Sequence, residues 1–230
     1  ASCSGFLFAM DAGVKDIVLG ADTALVAASE VRSRFVDITD RATSALFGDG
    51  AGAAILEQCE PGRGILALGV TTQGSEKHSV VLPAGGSREP LSREVLDQRR
   101  HFLKMEDGPG VYIAAGEGMT EVATDMLAAT ALSLDEIDWI IPHQANQRIL
   151  RRVAWMLEAD EERVISYVHD MGNISSAGVI VALDRALREG KIAPGDKVLM
   201  LAAGAGHTAG GMILQVDEAL CQTMRHTQKV

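Results

Sequence analysis

Positive charge is in short supply in this chain. Lys and Arg number 21 against 31 Asp and Glu, for a formal charge of −10. Broad binding to nucleic acid needs a basic face, so that class of partner is not expected. A local basic patch could still meet an acidic partner. Cysteines are few: Cys3, Cys59 and Cys221. Their odd number and the lack of a CxxC pair argue against a disulfide framework or a zinc site. No uninterrupted apolar run is long enough to span a bilayer. The opening Ala1-Ser2-Cys3-Ser4-Gly5 has no basic n-region of a signal peptide, so a reducing cytoplasm is the expected compartment. Aromatics make up 4% of residues, beside 24 glycines. That mix points to tight turns and helices packed closely on a sheet.

What is present is ordinary for a globular protein, 47% hydrophobic and 23% charged over 230 residues. The length suits one large domain or two small ones. Residues 5–20 read as a helix, with Phe6, Met10 and Val14 roughly on one face and Gly20 as its stop. Residues 23–29 read as a buried strand. Residues 44–56 read as a glycine turn, Gly48-Asp-Gly-Ala-Gly52, followed by a strand. Pro61-Gly62-Arg63 marks a boundary, and 64–72 is a further strand. Residues 73–108 are polar and irregular, with a loop at 83–87. A long helical pattern covers 111–131. A buried strand ends at Pro142, a helix spans 145–158, and 164–168 reads as a strand. Residues 176–189 are helical up to Gly190. Strands at 197–203 and 212–216 flank the glycine-rich Gly204–Gly211. The tail after Asp217 is polar and expected to fray.

Helices alternating with short apolar strands indicate an α/β fold. One block recurs. Ser4-Gly5, helix, Gly20, strand, glycine turn and strand to Leu56 match Ala177-Gly178, helix, Gly190, strand, glycine turn and strand to Leu214. This suggests an internal duplication, in which Cys3 opens the first helix where Ser176 opens the second. The second copy is preceded by strands at 64–72, 137–141 and 164–168. None precedes Cys3, and residue 1 is not methionine. A further N-terminal segment is therefore expected, without which residues 1–230 should not fold or act alone. The expected division is 1–60 for the first half, 61–217 for the second and 218–230 for a tail.

Four features could carry chemistry. Cys3 stands at the start of a helix, where amides and the helix dipole favour a thiolate; taken alone, a small buried core residue is the commoner fate of a lone cysteine. His143, just past a strand end in Pro142-His-Gln-Ala-Asn146, could serve as acid, base or donor; it could also be a turn residue. Asn173, in Gly172-Asn-Ile-Ser-Ser-Ala177, has the look of a turn or cap residue, yet its amide could donate to a carbonyl oxygen. Gly204–Gly211 could aim backbone N–H groups at an oxyanion. It lacks the lysine and spacing of a P-loop.

Taken in order, a cysteine at a helix start, PHQAN, GN-x-SSA and a glycine hairpin resemble the ketosynthase III (β-ketoacyl-acyl-carrier-protein synthase III) family of the thiolase fold. The resemblance runs from Ala1 to about Val216. Further landmarks are Asp40-Arg41, Phe47-Gly-Asp-Gly-Ala-Gly-Ala-Ala54 and Asp138–Asn146. PHQAN is highly specific and the glycine turns less so. The chain departs from the family pattern at Ala203-Gly-Ala-Gly-His207 and at Met105-Glu-Asp-Gly-Pro-Gly-Val-Tyr112, both expected to shape the acyl pocket and its gate.

The resemblance implies a five-layered α-β-α-β-α fold, pseudo-duplicated, with the first repeat incomplete here. It implies an acyltransferase of lipid metabolism with Cys3, His143 and Asn173 as its catalytic triad. The N–H groups of Cys3 and Ala205 would form an oxyanion hole. Arg41 would pack on coenzyme A, Asn146 would position the pantetheine arm, and Arg148 would meet the carrier protein. The partners implied are an acyl-coenzyme A and malonyl-acyl carrier protein, in a homodimer. No metal or redox cofactor is implied, coenzyme A being a substrate. The rival readings are a related condensing enzyme of secondary metabolism with another acceptor, and a non-catalytic scaffold of the same fold.

Overall fold

The computed structural model describes residues 1–74 and 80–226. After a 3-10 turn at Ser2–Ser4, the elements run α1 (Gly5–Val18), β1 (Thr23–Val31), α2 (Arg41–Ser44), β2 (Asp49–Glu57), β3 (Gly64–Thr72), β4 (Val80–Val81), α3 (Arg93–Asp97) and β5 (Lys104–Met105). They continue with α4 (Gly108–Thr130), β6 (Trp139–Pro142), α5 (Gln147–Leu157), α6 (Val168–Met171), α7 (Ala177–Arg188), β7 (Lys197–Gly204), β8 (Thr208–Gln215) and α8 (Glu218–His226). Among the described residues, no helix is long and apolar enough to cross a membrane.

The main sheet has the order β3-β8-β7-β6, with only β6 and β7 parallel. Strand β7 shows why it holds the centre. Side chains alternate across a strand, and both faces of this one are apolar. Val198, Met200 and Ala202 join a core with Ile180, Leu183 and Ala186 of α7. Leu199 and Leu201 join a second core with Met119, Val122 and Met126 of α4 and Ile149 and Val153 of α5. A strand buried on both faces reads as a continuous hydrophobic run.

Strands β1 and β2 form a separate antiparallel pair, from Thr23↔Glu57 to Val31↔Asp49. Its inner face, with Val26 and Ala28, packs against α1 and α7. Helices α1 and α7 thus lie between the two sheets, and the layers run β-α-β-α. The expected order of helix, strand and antiparallel strand occurs twice, as α1-β1-β2 and α7-β7-β8. The two helix starts meet: a Cβ added at Gly5 would lie 3.4 Å from that of Ser176.

Several expectations need correction. The 23–29 strand is not buried throughout; its faces alternate, and Leu25 is 72% exposed beside Ile55 at 70%. The glycines at 48–52 form no turn: Gly48 lies just before β2, and Gly50 and Gly52 lie at its start. They are needed because α7 and the segment before it press on that strand. A Cβ at Gly50 would meet Ile174 at 2.9 Å, and one at Gly52 would meet Ile180 at 2.7 Å. Residues 164–168 form no strand. Val164 makes a single bridge to Ile140, and the chain then turns into α6. The irregular stretch 73–108 contains β4, α3 and β5, with residues 75–79 outside the described ones. The tail is helical over 218–226, with Cys221 buried; residues 227–230 lie outside the described ones.

Candidate active site

Cys3 sits in the 3-10 turn that leads into α1. The preceding residue, Ser2, has φ 49°, a left-handed conformation uncommon outside glycine. Side chains hold that turn in place. Ser4 is fully buried, and its Oγ donates to the Ala1 carbonyl at 2.7 Å. Thr208 Oγ1, at the start of β8, lies 2.7 Å from Ser4 Oγ and donates to the same carbonyl at 2.9 Å. Across from the turn stands Gly204. A Cβ there would come within 3.0 Å of the Cys3 nitrogen. Only glycine lets the hairpin end approach the Cys3 N–H this closely.

His143 follows the last residue of β6 and is buried. The loop that carries it is clamped by its neighbour. Gln144 Nε2 donates to the carbonyls of Pro142 at 2.8 Å and Ile165 at 3.1 Å, and Gln144 Oε1 accepts from Tyr167 N at 2.8 Å. Asn173 is fixed by its backbone. Its N–H donates to Leu46 O at 2.8 Å, and its carbonyl accepts from Gly48 N at 3.1 Å. Its side-chain Oδ1 accepts from Ser175 N at 2.9 Å, which leaves the amide nitrogen end for other work.

Cys3, His143 and Asn173 line one cavity of about 460 Å³. They are 140 and 30 positions apart in the chain, so their convergence is a property of the fold. The thiol is perturbed. Burial is the largest influence and pushes its pKa up, but the charge and hydrogen bond of His143, a hydrogen bond from Ser175 and the charge of Arg32 together outweigh it. The net result is a pKa lowered to about 7. This favours the thiolate at neutral pH, where an ordinary thiol is mostly protonated. A cysteine so poised, with a histidine and an amide beside it, suits acyl transfer through a thioester.

Comparison with known proteins agrees with this geometry. A family model described as 3-oxoacyl-[acyl-carrier-protein (ACP)] synthase III matches residues 1–74, and the C-terminal model of the same enzyme matches 127–216. The chain belongs to the ketosynthase III family. It is 38% identical over 218 residues to a β-ketoacyl-[acyl-carrier-protein] synthase III of Koribacter versatilis, covering 94% of this chain and 65% of that one. A 3-oxopimeloyl-[acyl-carrier-protein] synthase of Rhodothermus marinus is also 38% identical, covering 93% of this chain and 62% of that one. The solved 3-oxoacyl-(acyl carrier protein) synthase III of Pseudomonas aeruginosa PAO1 superposes with a TM-score of 0.85 at 31% identity, covering 95% of this chain and 66% of that one. The chain spans about 65% of the length of the first curated relatives it matches.

Other residues expected to serve a ketosynthase III lie in varied places. Ala205 is in the β7–β8 turn and lines the cavity. The two segments that depart from the family pattern reach its wall too, through Met105, Val111 and residues 203–207. Asn146 caps α5, its Oδ1 accepting from Ile149 N at 3.0 Å, and is not part of the cavity wall. Arg41 is exposed at the start of α2, outside that wall. Arg148 is exposed with its guanidinium 5.6 Å from the Tyr112 ring centroid, and Arg152 stands over the same ring at 5.0 Å. Sequence reasoning missed Ser175, which bonds the Cys3 sulfur, Arg32, which bonds Ser175 from behind, and Gln144, which clamps the His143 loop. Ser175 and Gln144 stand inside recognised motifs; Arg32 belongs to none.

Proposed function

We propose that this chain carries the active site of a 3-ketoacyl-acyl-carrier-protein synthase III. The convergence of Cys3, His143 and Asn173 on one cavity, with a lowered thiol pKa, carries this reading. The Cys3 thiolate attacks the carbonyl of an acyl-coenzyme A. The C–S bond to Cys3 forms, and coenzyme A leaves and takes up a proton. Malonyl-acyl carrier protein then enters and loses CO2. The enolate carbon attacks the acyl-Cys3 carbonyl, the new C–C bond forms, and Cys3 leaves again as thiolate. His143 and Asn173 stabilise the thioester enolate by donating to its oxygen. The N–H groups of Cys3 and Ala205 stabilise the tetrahedral oxyanions.

The same reading gives roles outside the cavity. Arg41 packs on the coenzyme A adenine, and Arg148 meets the acidic carrier protein. Asn146 helps to place the pantetheine arm beyond its capping bond. The working form is a cytoplasmic homodimer. A second reading keeps the chemistry and changes the acceptor to that of a secondary pathway. The departures at 105–112 and 203–207, which reach the cavity wall, favour it.

A donor screen with the complete protein tests the first reading. Short straight and branched acyl-coenzyme A thioesters are supplied with malonyl-acyl carrier protein. A coenzyme A thioester of a dicarboxylic acid belongs in the set, because a 3-oxopimeloyl product carries a terminal carboxylate. A 3-ketoacyl-carrier protein from any donor, with release of CO2, is the expected result. Acyl-Cys3 without condensation on the carrier protein points to the other acceptor. No acyl-Cys3 at all leaves the scaffold reading.

A further inference from the structure

We propose that Ser175 and Arg32 form an arm that holds the Cys3 sulfur for attack, with Ser175 as the group in contact and Arg32 as a positioning residue behind it. This rests on the reading of Cys3 as the acyl acceptor. The argument begins with proton direction. Arg32 Nη2 donates to Ser175 Oγ at 2.7 Å. A guanidinium has no acceptor, so the single hydroxyl proton of Ser175 must point elsewhere. The sulfur of Cys3 lies 3.5 Å from that oxygen and receives it. Arg32 thereby fixes Ser175 as a donor to sulfur, which favours the thiolate over the thiol.

The arm is anchored at both ends. Arg32 pairs with Glu30, two residues earlier on β1, at 2.9 Å. The other oxygen of Glu30 accepts from Ser176 Oγ at 2.5 Å and from Ser176 N at 3.2 Å. Both members of the pair are largely buried, with 22% and 14% of their side chains exposed. Ser175 is fully buried and sits at φ 52°. A left-handed serine is uncommon, and such an outlier persists only where its surroundings impose it. Here Asn173 Oδ1 holds the Ser175 N–H. One asparagine thus places the hydroxyl that reaches sulfur while facing the cavity with its own amide.

The arm has work in both half-reactions. In the first it favours the attacking thiolate, and in the second it favours the same thiolate as a leaving group, since a less basic thiol leaves faster. Two hydrogen-bond lengths place the guanidinium nitrogen within about 6 Å of the sulfur, close enough for its charge to act directly. The other titratable group at the sulfur is His143. Further along the cavity wall are His207, Glu117 and Glu121, while Glu30 stands behind Arg32.

The test is the pH profile of Cys3 alkylation by iodoacetamide in the complete protein, read by mass spectrometry of the Cys3 peptide so that Cys59 and Cys221 do not interfere. It is run on wild type, Arg32→Met, Arg32→Lys, Ser175→Gly and the Arg32→Met/Ser175→Gly pair. Glycine accepts the left-handed backbone, so Ser175→Gly keeps the turn. Wild type should show a midpoint near 7. Arg32→Met and Ser175→Gly should each raise it by about one pH unit. Acylation at pH 7 should slow several-fold and recover at pH 9, with KM for the acyl donor unchanged. Arg32→Lys should stay close to wild type. The double variant should shift less than the two single variants combined, as members of one arm do. Unchanged midpoints in both single variants, in a protein whose Cys3 still takes an acyl group, would overturn the arm. A shift in Ser175→Gly alone would remove Arg32 from it. A wild-type Cys3 that never takes an acyl group would instead refute the functional reading.

Discussion

Replacing Gly204 by alanine should separate catalysis from stability. The new Cβ would press on the Ala1 carbonyl oxygen, on Thr208 Oγ1 at 2.7 Å and on the Cys3 nitrogen at 3.0 Å. Two of these are backbone atoms and cannot swing away. Ordinary contact is about 3.5 Å, so the hairpin and the Ala1–Cys3 turn must part by something on the order of 1 Å. That motion separates the Cys3 N–H from the Ala205 turn, the two sides of the proposed oxyanion hole. A misplacement of about 1 Å costs about 100-fold in rate. Overpacking itself costs about 1–3 kcal/mol, or some 2–12 °C of melting temperature for a protein of this size. Gly211→Ala supplies the control. It overpacks the middle of β8 in the same hairpin, against Met126 Cγ at 3.0 Å and Val122 O at 3.3 Å, away from Cys3. Single-turnover acylation and thermal melts on both variants make the comparison. The expected outcome is similar destabilisation, with acylation lost only in Gly204→Ala. Acylation within about threefold of wild type in Gly204→Ala, or an equal loss in Gly211→Ala, would refute the reasoning.

Other expectations can be checked alongside. Asn173→Asp keeps the oxygen that caps Ser175 but loses the amide donor, so malonyl decarboxylation should fall about 100-fold or more while acylation falls less; paired decarboxylation and acylation assays decide it. With Cys3 titrating near 7, the acylation rate should climb from pH 6 and level off above pH 8; a rate still rising at pH 9 would indicate an ordinary thiol. Gly52→Val should destabilise the fold by about 2 kcal/mol or more, because the Ile180 side chain already occupies that space; a denaturant melt measures it. Asp37 accepts from Arg99 and from Thr39, and the Arg99 bond leads in holding its carboxyl well below the usual range. A depressed carboxyl contributes stability that is present above the unfolded value near 4 and drains away as pH falls. Wild type should therefore lose melting temperature below pH 4 more steeply than Asp37→Asn.

The sequence made the long elements legible because their causes are local. Helices α1, α4, α5 and α7 carry apolar periodicity, and Gly20 and Gly190 end two of them with φ 107° and 69°. The triad was legible as an ordered set of motifs, each ambiguous when taken alone. What escaped had distant causes. The glycines of 48–52 look like turn residues, yet they exist because Ile174 and Ile180 press on β2 from more than 120 residues away. The apolar 164–168 looks like a strand. The Gln144 side chain takes the Tyr167 N–H there in place of a neighbouring backbone. Arg32 reads as one more charge after a strand; only the approach of Ser175, 143 positions later, gives it a partner beside Cys3.

The central claim is that Cys3 carries the acyl group. Intact and peptide mass spectrometry of the complete protein, mixed with acyl-coenzyme A and no carrier protein, tests it directly. The account expects one added acyl mass on the Cys3 peptide, absent in Cys3→Ala and removed when malonyl-acyl carrier protein is added. An acyl group on Cys59 or Cys221 instead, or condensation that persists in Cys3→Ala, would contradict it.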